Sequence, residues 1–236
     1  IDFSDEQLVH HYNTNGFFEG RPSSSSCLRE HFIAELEYNS ALEIGPFTNP
    51  CLYGPNVFYC DVLDKESLIE RAIAHNVSHD QTPDIDFLIT DCSLKSIKRK
   101  FDLVFSSHCI EHQPDFVEHL NEVADLLRTG GSYATIIPDA RYCFDASLPK
   151  TKISEIFNAH QIRRKVHSIG SIVEHLAMTT HNETSVHWER NGEMANAYYE
   201  IDRLKVKHAF NLLETSEGNY VDVHAWQFDP VTFSEI

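Results

Sequence analysis

Between residues 40 and 140 the apolar positions of this chain follow two alternating rhythms. Short, nearly continuous apolar runs occur at 41–44, in "NVFYCD" (56–61), "DIDFLIT" (84–90), "FDLVFSS" (101–107) and "GSYATIIP" (131–138). Runs of this length, rich in β-formers and bounded by turn residues, predict strands buried on both faces. Between them, "KESLIERAIAH" (65–75) and "PDFVEHLNEVADLLRTGG" (114–131) space their apolar residues for helices. In the second, Phe116, Val117, Leu120, Val123 and Leu127 share a face, and "TGG" reads as the helix end. Strands alternating with helices predict a Rossmann-like α/β fold, a mostly parallel sheet flanked by helices.

The flanks differ. Residues 1–39 are acid-rich with helical periodicity, broken by "RPSSSS" and ending in the amphipathic "CLREHFIAELEY" (27–38), so an N-terminal helical extension is expected. After the core (40–140), residues 141–218 are rich in histidine and charge, with helices expected at 151–168, 170–178 and 193–214. This stretch reads as a helical insertion or lid shaping an acceptor site. In 219–236, "YVDVHAW" (220–226) reads as a return strand, and Asp229 or Thr232 caps a helix opening at "DPVTFSEI".

A chain of 236 residues suits one α/β domain with an elaboration, large enough to need no disulfide or metal staple. No apolar run reaches the ~20 residues of a membrane span, and no signal-peptide pattern is present. The cysteines at 27, 51, 60, 92, 109 and 143 form no C-x-x-C, which favours reduced thiols and a cytoplasmic setting. Nineteen basic residues against 36 acidic ones, a net charge of −17, argue against a nucleic-acid partner. The basic knots "KSIKRK" (95–100) and "RRK" (163–165) read as solvated faces.

Candidate chemistry begins at "SALEIGPFTNP" (40–50), where an apolar run stops at Gly45 just after Glu43. A dinucleotide loop would place two more glycines where Phe47 and Asn49 stand. Acids also close two further strands, at Asp61 and Asp91. A pyrophosphate cofactor suits neither the carboxylates nor the missing glycines. S-adenosylmethionine has no phosphate and carries a sulfonium and an ammonium, so acids and larger side chains are compatible with it.

"LEIGPFTNP", "VFYCDVLD", "ITDCSL" and "FDLVFSSHCIEHQPDFVEHLNEVADLLRTGGSYATIIPD", in that order, resemble class I S-adenosylmethionine-dependent methyltransferases over roughly residues 40–140. The departure is the first loop, which keeps one glycine of the usual E/D-x-G-x-G-x-G. The resemblance implies that Glu43 and Gly45 lie near the methionine end of the cofactor, with Phe47 lining the loop. It implies that Asp61 accepts from the ribose hydroxyls, that Asp91 and the backbone of Cys92 border the adenine, and that Ser107 and His108 face the donor methyl. S-adenosyl-L-homocysteine would be the product. The same family closes its sheet with a final hairpin, so 219–236 is expected to precede a C-terminal end absent from this chain.

An alcohol accepts a methyl group well only when a base takes its proton, and His108 is the candidate base. His112 reads as structural. "IIPDARYCFD" (136–145) and the His-rich "TTHNETSVHW" (179–188) resemble stretches of methyltransferases that accompany glycosyltransferases in glycan assembly. This implies a sugar hydroxyl as acceptor, fusion to or association with glycosyltransferase domains, catalytic roles for Asp139 and Arg141 beside His108, and substrate contacts from Asp139, Arg141, Tyr142, Asp145 and His181. Trp188 and Trp226 read as packing residues before sugar-stacking ones. Histidines 160, 167, 175, 181 and 187 raise a divalent-metal reading, but no tight ligand spacing supports it, and no metal ligand is assigned. The competing functions are a small-molecule or natural-product methyltransferase, an NAD-dependent oxidoreductase and a non-catalytic binding module.

Overall fold

Ala41, Leu42, Glu43 and Ile44 are all buried and form the central strand, β1. Around it run β2 (Val57–Asp61), β3 (Phe87–Leu88), β4 (Phe101–Ser107) and β5 (Leu127–Ile136), all parallel, in the order β3-β2-β1-β4-β5. The structure, a computed structural model, describes residues 28–89, 92–183 and 201–236, with residues 4, 7, 10, 186 and 187. Two compact units divide at residue 37. In the first, helix α1 (Arg29–Ala34) is shorter than the expected 27–38, and the rest of the expected N-terminal extension lies largely outside the described residues.

The second unit, residues 38–236, carries the sheet. Ile44, Cys60, Val104 and Phe101 pack with Val123 and Leu126 of helix α3 (Phe116–Leu126) in its main apolar core. Helix α2 (Lys65–Ala74) starts where the Asp64 carboxylate accepts the Ser67 N–H, at 2.9 Å. In the same way Asp115 opens α3 by accepting from Glu118 N.

Three expectations change. Helix α3 ends at Leu126, and "RTGG" belongs to β5. Phe101 pairs with Leu127 while Leu103 pairs with Ser132, so four residues bulge opposite Asp102. Gly130 takes a left-handed turn (φ 82°), and a Cβ on Gly131 would lie 3.0–3.1 Å from the carbonyls of Asp102, Phe101 and Arg128. The glycines therefore serve a bulge, and Leu120 is exposed instead of sharing the apolar face. Strand β3 is two residues long against the expected seven, although Ile89 N still bonds Asp61 O. "YVDVHAW" forms no strand: it runs irregularly across the protein with Val223 and Trp226 buried, and a single bridge joins Asp139 to Phe228.

The described part of the insertion carries α4 (Ile153–Gln161), α5 (Ile169–Val173) running into a π-helical turn (Glu174–Met178), and α6 (Arg203–Thr215); α4 ends well short of the expected 168, with 162–168 irregular. The expected 193–200 part of the last helix and Trp188 lie outside the described residues. Asp229 caps the terminal helix α7 (Pro230–Ser234), accepting from Thr232 N at 2.8 Å. Trp226 packs edge-on against Phe116 and donates to Gln113 O at 2.6 Å, so it is a packing residue. Arg164 of "RRK" is no solvated side chain: it donates to Pro114 O and lies over the Trp226 ring. No helix among the described residues is long and apolar enough to cross a membrane.

His119, on the buried side of α3, packs edge-on against Tyr133, and burial pushes its pKa down to about 4. Above pH ~6.5 the ring is neutral folded or unfolded, so the stability it permits is fully present there. As pH falls toward 4, the unfolded chain takes the proton and the folded one does not, and that stability is lost. Urea unfolding from pH 7 to 4 should show wild type losing up to about 3 kcal/mol more than His119→Leu. Parallel stability profiles would show that the ring is not held neutral.

Candidate functional site

In a parallel sheet, ligands bind beyond the carboxyl ends of the strands where the strand order reverses, here between β1 and β4. At the end of β1, Glu43 is buried, and its two oxygens accept from Cys51 N (2.8 Å) and Leu52 N (2.9 Å). These bonds hold the loop closed at the end of β1, where the resemblance puts the methionine end of the cofactor. Gly45 turns with φ 68° while its N–H bonds Cys60 O. A Cβ there would touch Cys109 only at ordinary contact distance, so the backbone angle is what requires glycine.

Phe47, at the place of a second glycine, itself adopts a left-handed backbone (φ 49°). That conformation costs roughly 1–2 kcal/mol for a residue with a side chain. Its N–H is held by Asp61, which also accepts from Val62 and Leu63. Burial pushes the Asp61 carboxyl upward, and the three N–H bonds work against that shift. The sequence-expected ribose acceptor thus stands against the β1 loop. Asp91 lies outside the described residues, and Cys92 follows it with φ 57°.

At the end of β4, Ser106 bonds Tyr133 and Thr135, while the buried Ser107 Oγ has no hydrogen-bond partner among the described residues. His108 turns left-handed (φ 53°), its N–H on Ile136 O at 2.9 Å, and its side chain is 54% exposed. The next residue, Cys109, is the one nearest Gly45, so His108 emerges beside the β1 loop. Its Nδ1 is 3.8 Å from Glu111 Oε1.

Behind His108 lies a cluster the sequence did not reveal. Glu111 is 1% exposed, and burial pushes its carboxyl upward against the pull of His112 and His224. Burial opposes a charge on His112, but Asp222, 2.8 Å from its Nδ1, and Glu111 hold its pKa above the ordinary value. Burial alone would raise the Asp222 carboxyl, yet His112 and Arg71 hold it well below the usual range. His224 Nδ1 is 2.6 Å from Asp145 Oδ2.

Of the implied acceptor contacts, Asp139 and Arg141 do meet, but as partners of each other. Arg141 Nη2 lies 2.6 Å from Asp139 Oδ2, and Asp139 also accepts Arg141 N. The Tyr142 ring is largely buried under the Arg141 guanidinium. Asp145 is 1% exposed, and its Oδ2 holds His224 Nδ1 while Oδ1 has no hydrogen-bond partner among the described residues. His181 is exposed and stacks on His187 at 4.4 Å. Beyond β5, Thr135, Ile137, Asp139, Phe228, Asp229 and Phe233 border a cavity of about 240 Å³.

Residues 45–135 match the family model described as a methyltransferase domain. No curated protein matches the chain. Among solved structures, an S-adenosylmethionine-dependent methyltransferase from Clostridium acetobutylicum ATCC 824 is 14% identical over 62% of this chain and 62% of its own, with a TM-score of 0.36. The complex of DhpI with SAH is 19% identical over 58% of this chain and 64% of that one, with a TM-score of 0.33. The chain therefore spans less than two thirds of the length of either structure. Residues 45–135 thus carry the match to a methyltransferase domain, and the parallel order β3-β2-β1-β4-β5 is a Rossmann-like, class I arrangement.

The loop-holding role of Glu43 is directly testable. Glu43→Gln puts an amide N–H₂ where a backbone N–H needs an acceptor, and should cost about 1–3 kcal/mol in chemical unfolding. A variant as stable as wild type would show that the loop does not depend on this carboxylate.

Proposed function

We propose that the chain is an O-methyltransferase that uses S-adenosylmethionine to methylate a hydroxyl of a sugar or glycan, with His108 as the proton acceptor. The observation that carries this reading is the exposed His108 ring at the carboxyl end of β4, beside Gly45. The residues present suit the cofactor: Gly45 supplies the left-handed turn that ends β1, the Asp61 carboxylate is an acceptor of the kind a ribose diol needs, and Ser107 Oγ, without a partner among the described residues, offers a donor. When bound, S-adenosylmethionine supplies a methyl group on a positively charged sulfur and leaves as S-adenosyl-L-homocysteine. His108 takes the proton from the acceptor hydroxyl as that oxygen gains its new bond to carbon. The turn at φ 53° sets where the His108 Cα–Cβ bond leaves the end of β4, and the displacement needs the ring aligned with the acceptor.

The sugar is read from the resemblance of residues 136–145, and the cavity beyond β5 supports it. Asp139 and Asp229 offer acceptors to hydroxyls, and Phe228 and Phe233 offer apolar faces to the C–H side of a ring. The same reading carries the association with glycosyltransferase domains. Cys60, Cys109 and Cys143 are free thiols, in keeping with a cytoplasmic setting.

Calorimetric titration should show S-adenosyl-L-homocysteine binding and no NAD binding, with Asp61→Ala weakening it tenfold or more. That is about 1.5–3 kcal/mol for lost charge-assisted bonds, and unchanged affinity would remove Asp61 from the cofactor site. His108→Asn, which tolerates the left-handed turn, should lower turnover at least ~100-fold with cofactor affinity within a few-fold. Acceptor class is decided by mass-spectrometric methyl-transfer screens against deoxyhexose glycosides and, in parallel, phenols and other small alcohols. Turnover confined to the second panel would overturn the sugar assignment.

A further inference from the structure

Glu111 presents a problem that the methyl-transfer reading leaves unsolved. It is 1% exposed, and neither carboxylate oxygen accepts a hydrogen bond from another described residue. A buried carboxylate in that state is costly unless a cation or a proton accompanies it. Two imidazoles converge on it: His112 Nε2 lies 4.0 Å from Glu111 Oε1, and one ligand atom from each of Glu111, His112 and His224 falls within 4.8 Å of the others.

Each imidazole also has a carboxylate behind it, as an ion-pair contact at His112 and a hydrogen bond at His224. Asp222 Oδ1 stands 2.8 Å from His112 Nδ1, and Asp145 Oδ2 stands 2.6 Å from His224 Nδ1. Asp222 is itself held by an ion pair with Arg71. A carboxylate at Nδ1 fixes the ring and leaves Nε2 to bind an ion, the arrangement that orients histidines at metal centres. The rings meet edge to face, 4.5 Å apart.

We propose that Glu111, His112 and His224 bind one divalent transition-metal ion, with Asp222 and Asp145 as positioning residues. Two imidazole nitrogens and one carboxylate select zinc, cobalt or iron(II) over magnesium and calcium, which prefer oxygen throughout. Around a tetrahedral zinc, nitrogen and oxygen ligands stand about 3.4 Å apart, so closing on the ion requires side-chain shifts on the order of 1 Å. Three protein ligands leave a coordination position open for water or a substrate oxygen. His108 Nδ1, 3.8 Å from Glu111 Oε1, links the site to the proposed proton acceptor. A role for the ion in acidifying the acceptor hydroxyl rests on the methyltransferase reading; binding of the ion does not.

The full chain, stripped with a chelator, is titrated with Co²⁺ and followed by its visible ligand-field bands, calorimetry and thermal unfolding. One Co²⁺ per chain is expected, with Zn²⁺ displacing it and a higher Tm for the loaded protein. Glu111→Gln and His224→Gln should each weaken Co²⁺ binding at least tenfold and abolish the Tm increase, while His79→Ala, an exposed histidine elsewhere, changes neither. Glu111→Gln removes a charge without changing shape, so its metal-free form should be at least as stable as wild type, and it keeps the test valid if the histidine variant fails to fold. Absence of a 1:1 Co²⁺ spectrum in wild type, or wild-type affinity in folded Glu111→Gln, overturns the site. An intact Co²⁺ spectrum in a chain that transfers no methyl group overturns the functional reading and leaves the metal site standing.

Discussion

The double pairing of β1, with β2 on one side and β4 on the other, is the constraint on which the rest of this protein depends. Its four buried residues set the register of both neighbours, Ile44 lying opposite Cys60 and Ser106. That register brings Gly45, Asp61 and Ser107 to one edge of the sheet, because each is the next residue along its strand. The reversal of strand order between β1 and β4 then leaves the gap in which a ligand fits without competing with a crossover helix.

The acidic residues of this chain act largely as anchors for backbone. Glu43 holds the 51–52 loop, Glu122 accepts from Ser93 Oγ and Leu94 N, Asp86 accepts Tyr59 N, and Asp102 accepts Ser40 N. Charge-assisted bonds of this kind are about twice as strong as neutral ones. They let loops lacking extra glycines hold strained turns, as at Phe47, whose left-handed backbone is tied to Asp61. The net charge of −17 is therefore in part a structural property, not only a solvated surface.

The irregular segment at 220–228 ties the site together without adding a strand. Ala225 N bonds Glu111 O, Phe228 O accepts Ala140 N, and Trp226 closes over Phe116. Lying across the carboxyl ends instead of extending the sheet, it delivers Asp222 and His224 to Glu111 and His112.

The sequence by itself determined the elements whose signal is local. Strand β1 and strand β4 match their apolar runs residue for residue, and α2 begins at its Asp64 cap, because burial on both faces and capping leave direct marks in adjacent residues. Gly45, Asp61 and His108 were legible for the same reason, as strand ends. Tertiary structure decided the rest. "RTGG" looked like a helix end, yet the contact of Gly131 with the carbonyls of Phe101 and Asp102 makes it a bulge. Asp145 looked like a substrate contact, and His224 carried no signal at all, until folding paired them across 79 residues. Glu111, His112 and His224 show no ligand spacing along the chain. Their convergence depends on how the last segment crosses the sheet, and no local pattern of residues encodes that path.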